Sequence, residues 1–234
     1  MVGLAYPDVR KKENTTPLRD DLAALLAYTH TSSLPEALKK LNIKSVVEVG
    51  AGFDVSAIRA VWQALIQNGQ VLTPDDVWII EPDKARVEAG MARIPGFADQ
   101  VSLHTSPVQD IAQKRTFDLL LCKGVVTIGA GTVGDFGYDL EQWKNHQLRM
   151  LSSMTDLLDP HNPSAVAVIS AQRKGGLLPF SMDDLSGVGL SPVFTERIND
   201  DSDAFSWVQR FQEKGLLPLL PQNQFIRLAM CQKR

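Results

Sequence analysis

The run Ser45-Val46-Val47-Glu48-Val49-Gly50-Ala51-Gly52-Phe53-Asp54 constrains the fold of this chain more than any other stretch. Its β-branched residues suit a buried strand, which breaks into Gly-x-Gly. Beyond the break, Ile58, Val61, Trp62, Leu65 and Ile66 recur as on one face of a helix, and Asn68-Gly69 stops it. The segment is therefore strand, tight turn, helix. Glycines at such a turn let the backbone approach a ligand closely, and the helix start presents free N–H groups. An ordinary strand–helix turn has the same outline, so a second signal is needed.

The next strand supplies one. Val77-Trp78-Ile79-Ile80-Glu81-Pro82-Asp83 is a short buried-strand pattern ending in an acid, Glu81, about thirty residues after the turn, as in one βαβ step. A carboxylate there can accept both ribose hydroxyls of a nucleoside. An acid at a strand end can also cap the next helix, a task open equally to Asp83. A dinucleotide-binding turn wants Gly-x-Gly-x-x-Gly, but Phe53, Asp54 and Val55 follow Gly52. An acid two residues before the first glycine is also foreign to that pattern. Glu48-Val49-Gly50-Ala51-Gly52-Phe53-Asp54 instead resembles the first motif of class I S-adenosylmethionine-dependent methyltransferases, acid-x-Gly-x-Gly-x-Gly, with Asp54 in place of the third glycine. Phe117-Asp118 ahead of Leu119-Leu120-Leu121 resembles the fourth strand of that family, where the acid is structural.

The resemblance covers roughly residues 35 to 234 and implies a Rossmann-like three-layer α/β sandwich. Its sheet would have seven strands, mostly parallel, with the last strand antiparallel. The cofactor it implies is S-adenosylmethionine, leaving as S-adenosylhomocysteine after methyl transfer. Gly50 and Gly52 would line the methionine part, Glu48 would support the turn or the amino group from below, and Asp54 would border the same pocket. Glu81 would take the ribose, Ser106 and Asp110 the adenine side, and backbone near Lys123 and Gly124 the amino-acid end. A few relatives attack other carbons of the sulfonium, by aminocarboxypropyl transfer or by ring closure as in azetidine-2-carboxylate synthases, and release methylthioadenosine. A non-catalytic binding subunit is a further alternative.

Size and charge narrow the substrate. The 234 residues fit one such domain with a lid or insertion, and a net charge of −3 without long basic runs argues against a nucleic-acid partner. The Asn/Asp-Pro-Pro-aromatic signature of base methylation is missing as well. A small-molecule acceptor is expected. His30, His104, His146 and His161 have no metal-ligand spacing, and Cys122 and Cys231 are far apart, so no metal site is expected. The two cysteines fit free thiols in a reducing compartment, no run of eighteen apolar residues suggests a membrane span, and the amino terminus lacks a signal peptide. A cytoplasmic protein is expected.

The remaining pattern divides into an arm with a lid helix, residues 1–34, and a cofactor-binding domain, residues 35–234. Helices are expected over Leu18–Tyr28, Pro35–Leu41, Lys84–Arg93 and Leu140–Leu158, and strands over 101–106, 117–123, 164–170 and 225–231. Tyr6, Arg10 and Arg19 are the arm residues able to reach a ligand. Residues 124–137 hold five glycines at the end of a central strand, which marks a substrate loop. Asp135, Tyr138 and His146 in or after that loop are the candidate catalytic groups, with His146 first as a base because its ordinary pKa suits neutral pH. An insertion at about 199–224 is long for a strand connection; a lid, a homodimer contact and edge packing all stay open for it.

Overall fold

The computed structural model describes residues 19–94, 96–111, 115–125, 140–171, 178, 180–197, 213 and 226–234. Asp135, Tyr138, Tyr6, Arg10 and nearly all of the 199–224 insertion lie outside the described residues.

The seven strands are β1 (Val46–Val49), β2 (Val77–Ile80), β3 (Ser102–His104), β4 (Leu119–Lys123), β5 (Val166–Ser170), β6 (Leu190–Arg197) and β7 (Ile226–Lys233). They form one sheet in the order β3-β2-β1-β4-β5-β7-β6. The first five pair in parallel, and β7 runs antiparallel between β5 and β6. β1, β2 and β5 are buried along their whole length, as strands covered by helices on both faces must be. Their unbroken apolar runs are the sequence counterpart of that burial.

The helices are α1 (Asp20–Thr29), α2 (Leu34–Lys40), α3 (Ser56–Gln67), α4 (Lys84–Met91), the single turn α5 (Val108–Ile111), α6 (Leu140–Asp156) and α7 (Met182–Gly187). Strand alternation sorts the core into two apolar layers. Val46, Ile79, Leu121 and Val168 pack with Leu22 and Leu25 of α1, Leu38 of α2, Ile58 and Val61 of α3 and Val87 of α4. Val47, Val49, Ile80 and Leu120 pack on the other face with Ile111, with Leu151 and Met154 of α6, and with Leu185 of α7. The product is a helix–sheet–helix sandwich. Among the described residues no helix is long and apolar enough to cross a membrane.

Boundaries differ from the sequence reading where tertiary pairing competes with periodicity. The long helix stops at Asp156 rather than Leu158. Leu157 leaves it so that its carbonyl accepts the Phe117 N–H at 2.7 Å, and the Phe117 carbonyl in turn accepts the Asp159 N–H at 2.9 Å. The last strand extends to Lys233 because β6 offers partners as far as Leu190. The strand at 101–106 shortens to three residues at the sheet edge. Asp118 is structural, as the resemblance implies. Its Oδ2 accepts the Lys44 N–H at 2.8 Å, the Ser45 N–H at 3.1 Å and the Ser45 hydroxyl at 3.1 Å, and its Oδ1 accepts the Asn162 amide at 2.6 Å. One carboxylate thus joins the starts of β1 and β4 to the segment leading into β5.

Candidate functional site

Open α/β sheets bind ligands beyond the carboxyl ends of their strands, where the strand order reverses. Here that point lies between β1 and β4, the strands on whose carboxyl side the glycine turn and the glycine-rich loop begin. Gly50 and Gly52 both take left-handed backbone conformations, φ +73° and +57°, which a side chain would strain. The Gly50 N–H donates to the Ile80 carbonyl at 2.8 Å, carrying the β1–β2 ladder one step past β1. A Cβ on Gly50 would fall 1.9 Å from Cγ2 of Val125, so the start of the glycine-rich loop lies directly on the turn.

The helix-capping task that the sequence left open between Glu81 and Asp83 falls to Asp83. Asp83 caps α4, its Oδ1 accepting the Arg86 N–H at 3.1 Å. Glu81 turns back instead. Its Oε2 accepts the Gly52 N–H at 2.9 Å, and its Oε1 accepts the Asp83 N–H at 3.1 Å. A carboxylate has about four acceptor directions, so each oxygen keeps one for a ligand hydroxyl.

Glu48 shares the face of β1 with Val46 and meets Arg19, the residue immediately before α1. Arg19 Nη1 lies 2.8 Å from Glu48 Oε1 and donates to the Asp54 carbonyl at 3.1 Å. Its Nε and Nη2 grip both oxygens of Asp21 at 3.2 and 2.6 Å. Arg19 is 9% exposed at its side chain, and Asp21 and Glu48 are 0% and 1%. Burial pushes the Glu48 carboxyl up to about 7; Arg19 opposes this, and Asp21 and Asp54 add to it. Burial works against the charge of Arg19 too, but Glu48 and Asp21 outweigh it and hold the guanidinium more firmly protonated than usual. Asp54 is 57% exposed and accepts from the Ser56 N–H and hydroxyl where α3 begins. Burial favours its neutral form, yet Ser56, Arg19 and Lys123 prevail and keep it below the usual carboxylate range.

The other expected residues are less concentrated. Lys123 ends β4, half-buried, within electrostatic reach of Asp54. Ser106 is exposed just past β3, and Asp110 is exposed on α5. His146 is half-buried on α6, nearly two turns from the helix start, beside the buried stripe Gln147, Leu151 and Met154. The sequence reading sets Arg19 among ligand-reaching residues; the structure adds that it holds Glu48, which only the fold reveals because Arg19 and Glu48 are 29 residues apart in sequence. It also missed Gly90. A Cβ there would sit 2.7 Å from the Phe53 carbonyl oxygen, so α4 packs directly on the glycine turn. The Arg86 guanidinium lies over the half-exposed Phe53 ring at 5.2 Å and beside Gly52. A polar groove of about 430 Å³ lies at the opposite, amino end of the sheet, and the Asp118 bonds and the Arg115–Asp76 pair occupy its groups.

No protein-family model and no curated protein sequence matches the chain. Solved structures do. Magnesium protoporphyrin IX methyltransferase from Synechocystis PCC 6803, crystallised with S-adenosylmethionine, superposes over 92% of this chain and 79% of its own at 13% identity and a TM-score of 0.51. The N-methyltransferase NodS from Bradyrhizobium japonicum WM9, in complex with S-adenosylhomocysteine, superposes over 92% and 86% at 12% identity and a TM-score of 0.50. Strand order, the antiparallel β7 and these superpositions agree: the chain has the fold of the class I S-adenosylmethionine-dependent methyltransferases.

Proposed function

We propose that this protein is an S-adenosylmethionine-dependent methyltransferase acting on a small-molecule acceptor. The observation that carries the reading is the 2.9 Å bond from the Gly52 N–H to Glu81, made while Asp83 does the helix capping. It leaves a buried carboxylate at the end of β2 with acceptor capacity to spare, facing a turn that only glycine can make. Glu81 would hold the ribose, and Glu48, Gly50, Gly52 and Asp54 would border the methionine part. Ser106 and Asp110 would flank the adenine, with Lys123 at the amino-acid end. The bound cofactor supplies an electrophilic methyl group on a sulfonium. The chain's own contribution is to hold acceptor and methyl group in line and to take up a proton, with Asp135, Tyr138 and His146 as the candidate groups. Net charge −3 favours a small acceptor over a nucleic acid, and the buried thiols Cys122 and Cys231, which form no disulfide, suit the cytoplasm.

Calorimetry with S-adenosylhomocysteine tests the cofactor assignment, and incubation with S-adenosylmethionine tests the reaction. Methyl transfer yields S-adenosylhomocysteine only when an acceptor is present, and a mass-shift screen identifies that acceptor. Methylthioadenosine formed without an acceptor would assign the chain to aminocarboxypropyl or cyclisation chemistry instead. No affinity for either adenosyl compound would make it a non-catalytic subunit.

A further inference from the structure

Two buried polar side chains stand about two turns apart on α6 and differ in one respect. The Thr155 hydroxyl, on a residue 5% exposed, donates to the Leu151 carbonyl at 3.0 Å. Gln147 is 6% exposed, and its buried Oε1 has no hydrogen-bond partner among the described residues. With Leu151 and Met154 it forms one stripe at helical spacing, facing the apolar layer between α6 and the sheet. A residue kept there for packing alone would be apolar, as Leu151 and Met154 are, because a buried amide oxygen without a donor costs stability.

The fold fixes where that oxygen lies. α6 runs back from the carboxyl end of the sheet to the amino end, and its exit is pinned where the Leu157 carbonyl accepts the Phe117 N–H at 2.7 Å. Ten residues of helix bring Gln147 about 15 Å above that level. Five extended residues bring Cys122 roughly 17 Å above it. Gln147 is therefore level with the carboxyl end of β4. Helical side chains lean toward the helix amino terminus, so its amide leans past the strand ends rather than back along the sheet. The layer it faces there contains Val49, Ile80, Cys122 and Ile169, with Val125, the residue that lies on Gly50, packed against it. An apolar wall with one unanswered oxygen thus borders the glycine turn.

We propose that Gln147 is a specificity residue for the methyl acceptor: its Oε1 accepts an N–H or O–H from the group to be methylated, which is an uncharged amine or a hydroxyl on a largely apolar small molecule. The proposal rests on the methyltransferase reading above. An amide oxygen repels carboxylates, phosphates and carbonyls, and the apolar wall around it disfavours an ammonium. A hydrogen bond to the nucleophile's own N–H or O–H also fixes where its lone pair points. In the step, that lone pair forms the bond to the methyl carbon, and the carbon–sulfur electron pair stays on sulfur. The proton that faced Gln147 then passes to water or to a neighbouring base, because the amide is neutral and takes none.

The test uses the full chain saturated with S-adenosylhomocysteine, so that no methyl group can leave, and four probes of similar size: aniline, phenol, acetophenone and benzoate. Nuclear magnetic resonance follows the Gln147 side-chain amide, identified by its absence from Gln147→Met. Aniline or phenol should shift that signal and bind about tenfold more weakly to Gln147→Met, the loss of one hydrogen bond. Acetophenone and benzoate, which offer no such donor, should leave the signal in place. Gln147→Met should keep the wild-type affinity for S-adenosylhomocysteine. It should also move the urea midpoint upward, since it fills nearly the same volume without the unpartnered oxygen. Gln147→Leu serves the same purposes if the methionine variant fails to fold. A lowered midpoint in both variants shows that Gln147 serves the fold and overturns the proposal. A Gln147 signal that neither aniline nor phenol moves, or that acetophenone or benzoate moves in their place, overturns it as well. Wild-type protein without affinity for S-adenosylhomocysteine overturns the cofactor reading itself, and the proposal with it.

Discussion

At the carboxyl ends of β1 and β2, two acidic residues sit in opposite electrostatic situations. Glu81 is bonded by the Gly52 and Asp83 N–H groups, so its charge is welcomed. Glu81→Ala should weaken S-adenosylhomocysteine binding by roughly 1.5–3 kcal/mol, the range for hydrogen bonds to a charged group. Unchanged affinity in a folded variant would remove the ribose assignment. Glu48 pairs with Arg19 through Oε1, and among the described residues its Oε2 accepts no hydrogen bond. Its carboxyl holds a proton to about 7 when folded, against an ordinary 4.5. Between those values the folded state binds more protons than the unfolded one, so this group's contribution to stability falls as pH rises through the window and is fully lost above about 7. Glu48→Gln should flatten that slope. Urea unfolding of both proteins at about pH 5 and about pH 8 checks it, and identical slopes would show that Glu48 does not titrate in this window.

Between elements, the tightest constraint on the site is the approach of α4 to the glycine turn. A methyl group at Gly90 would meet the Phe53 carbonyl oxygen at 2.7 Å and its carbon at 3.1 Å, both backbone atoms that cannot swing aside. Gly90→Ala should therefore cost roughly 1–3 kcal/mol, as overpacking does, and should weaken cofactor binding by moving the turn. Gly187 ends α7 with open space where its Cβ would be. Gly187→Ala should instead stabilise by roughly 0.4–1 kcal/mol, because the unfolded chain loses more freedom than the folded one. Chemical denaturation of the two variants side by side separates a packing effect from a general response to replacing glycine. α1 follows the same logic. Leu22 and Leu25 are buried in the core layer shared with α3, so Arg19 is held at the turn by packing as well as by charge.

Across the molecule, the two ends of the sheet have different duties. The carboxyl end carries the glycine turn, Glu81 and the Arg19 cluster, while the amino end is drawn together by Asp118. Removing that carboxylate frees the Lys44 and Ser45 N–H groups and the Asn162 amide at once. Asp118→Ala should destabilise the fold by roughly 2–4 kcal/mol. Its S-adenosylhomocysteine affinity, measured well below the unfolding temperature, should stay close to wild type. A large loss of affinity with intact stability would contradict this separation of stability from binding along the strands.

How much of this the sequence held depends on the range of each interaction. Strand–turn–helix at 45–67 and the acid ending β2 were legible from the residues themselves. Each is written in a short window, as a run of β-branched residues, a glycine pair or a helical stripe, and local sterics and burial act within such windows. The seven-stranded sheet and the structural role of Asp118 followed only from the resemblance to the methyltransferase family. Only the tertiary structure could show that Asp83 rather than Glu81 caps α4, since both stand at the end of the same strand and hydrogen-bond geometry alone separates them. Only it could show that Arg19 reaches Glu48, that α4 needs Gly90 to lie on the turn, and that Leu157 leaves α6 for Phe117. Those outcomes depend on which surfaces meet when distant segments pack, and a linear pattern carries no record of that meeting. The second oxygen of Glu48 is of the same kind: the acid was visible at once in Glu-x-Gly-x-Gly, but that this oxygen accepts no hydrogen bond among the described residues follows only from how α1, β1 and the turn converge.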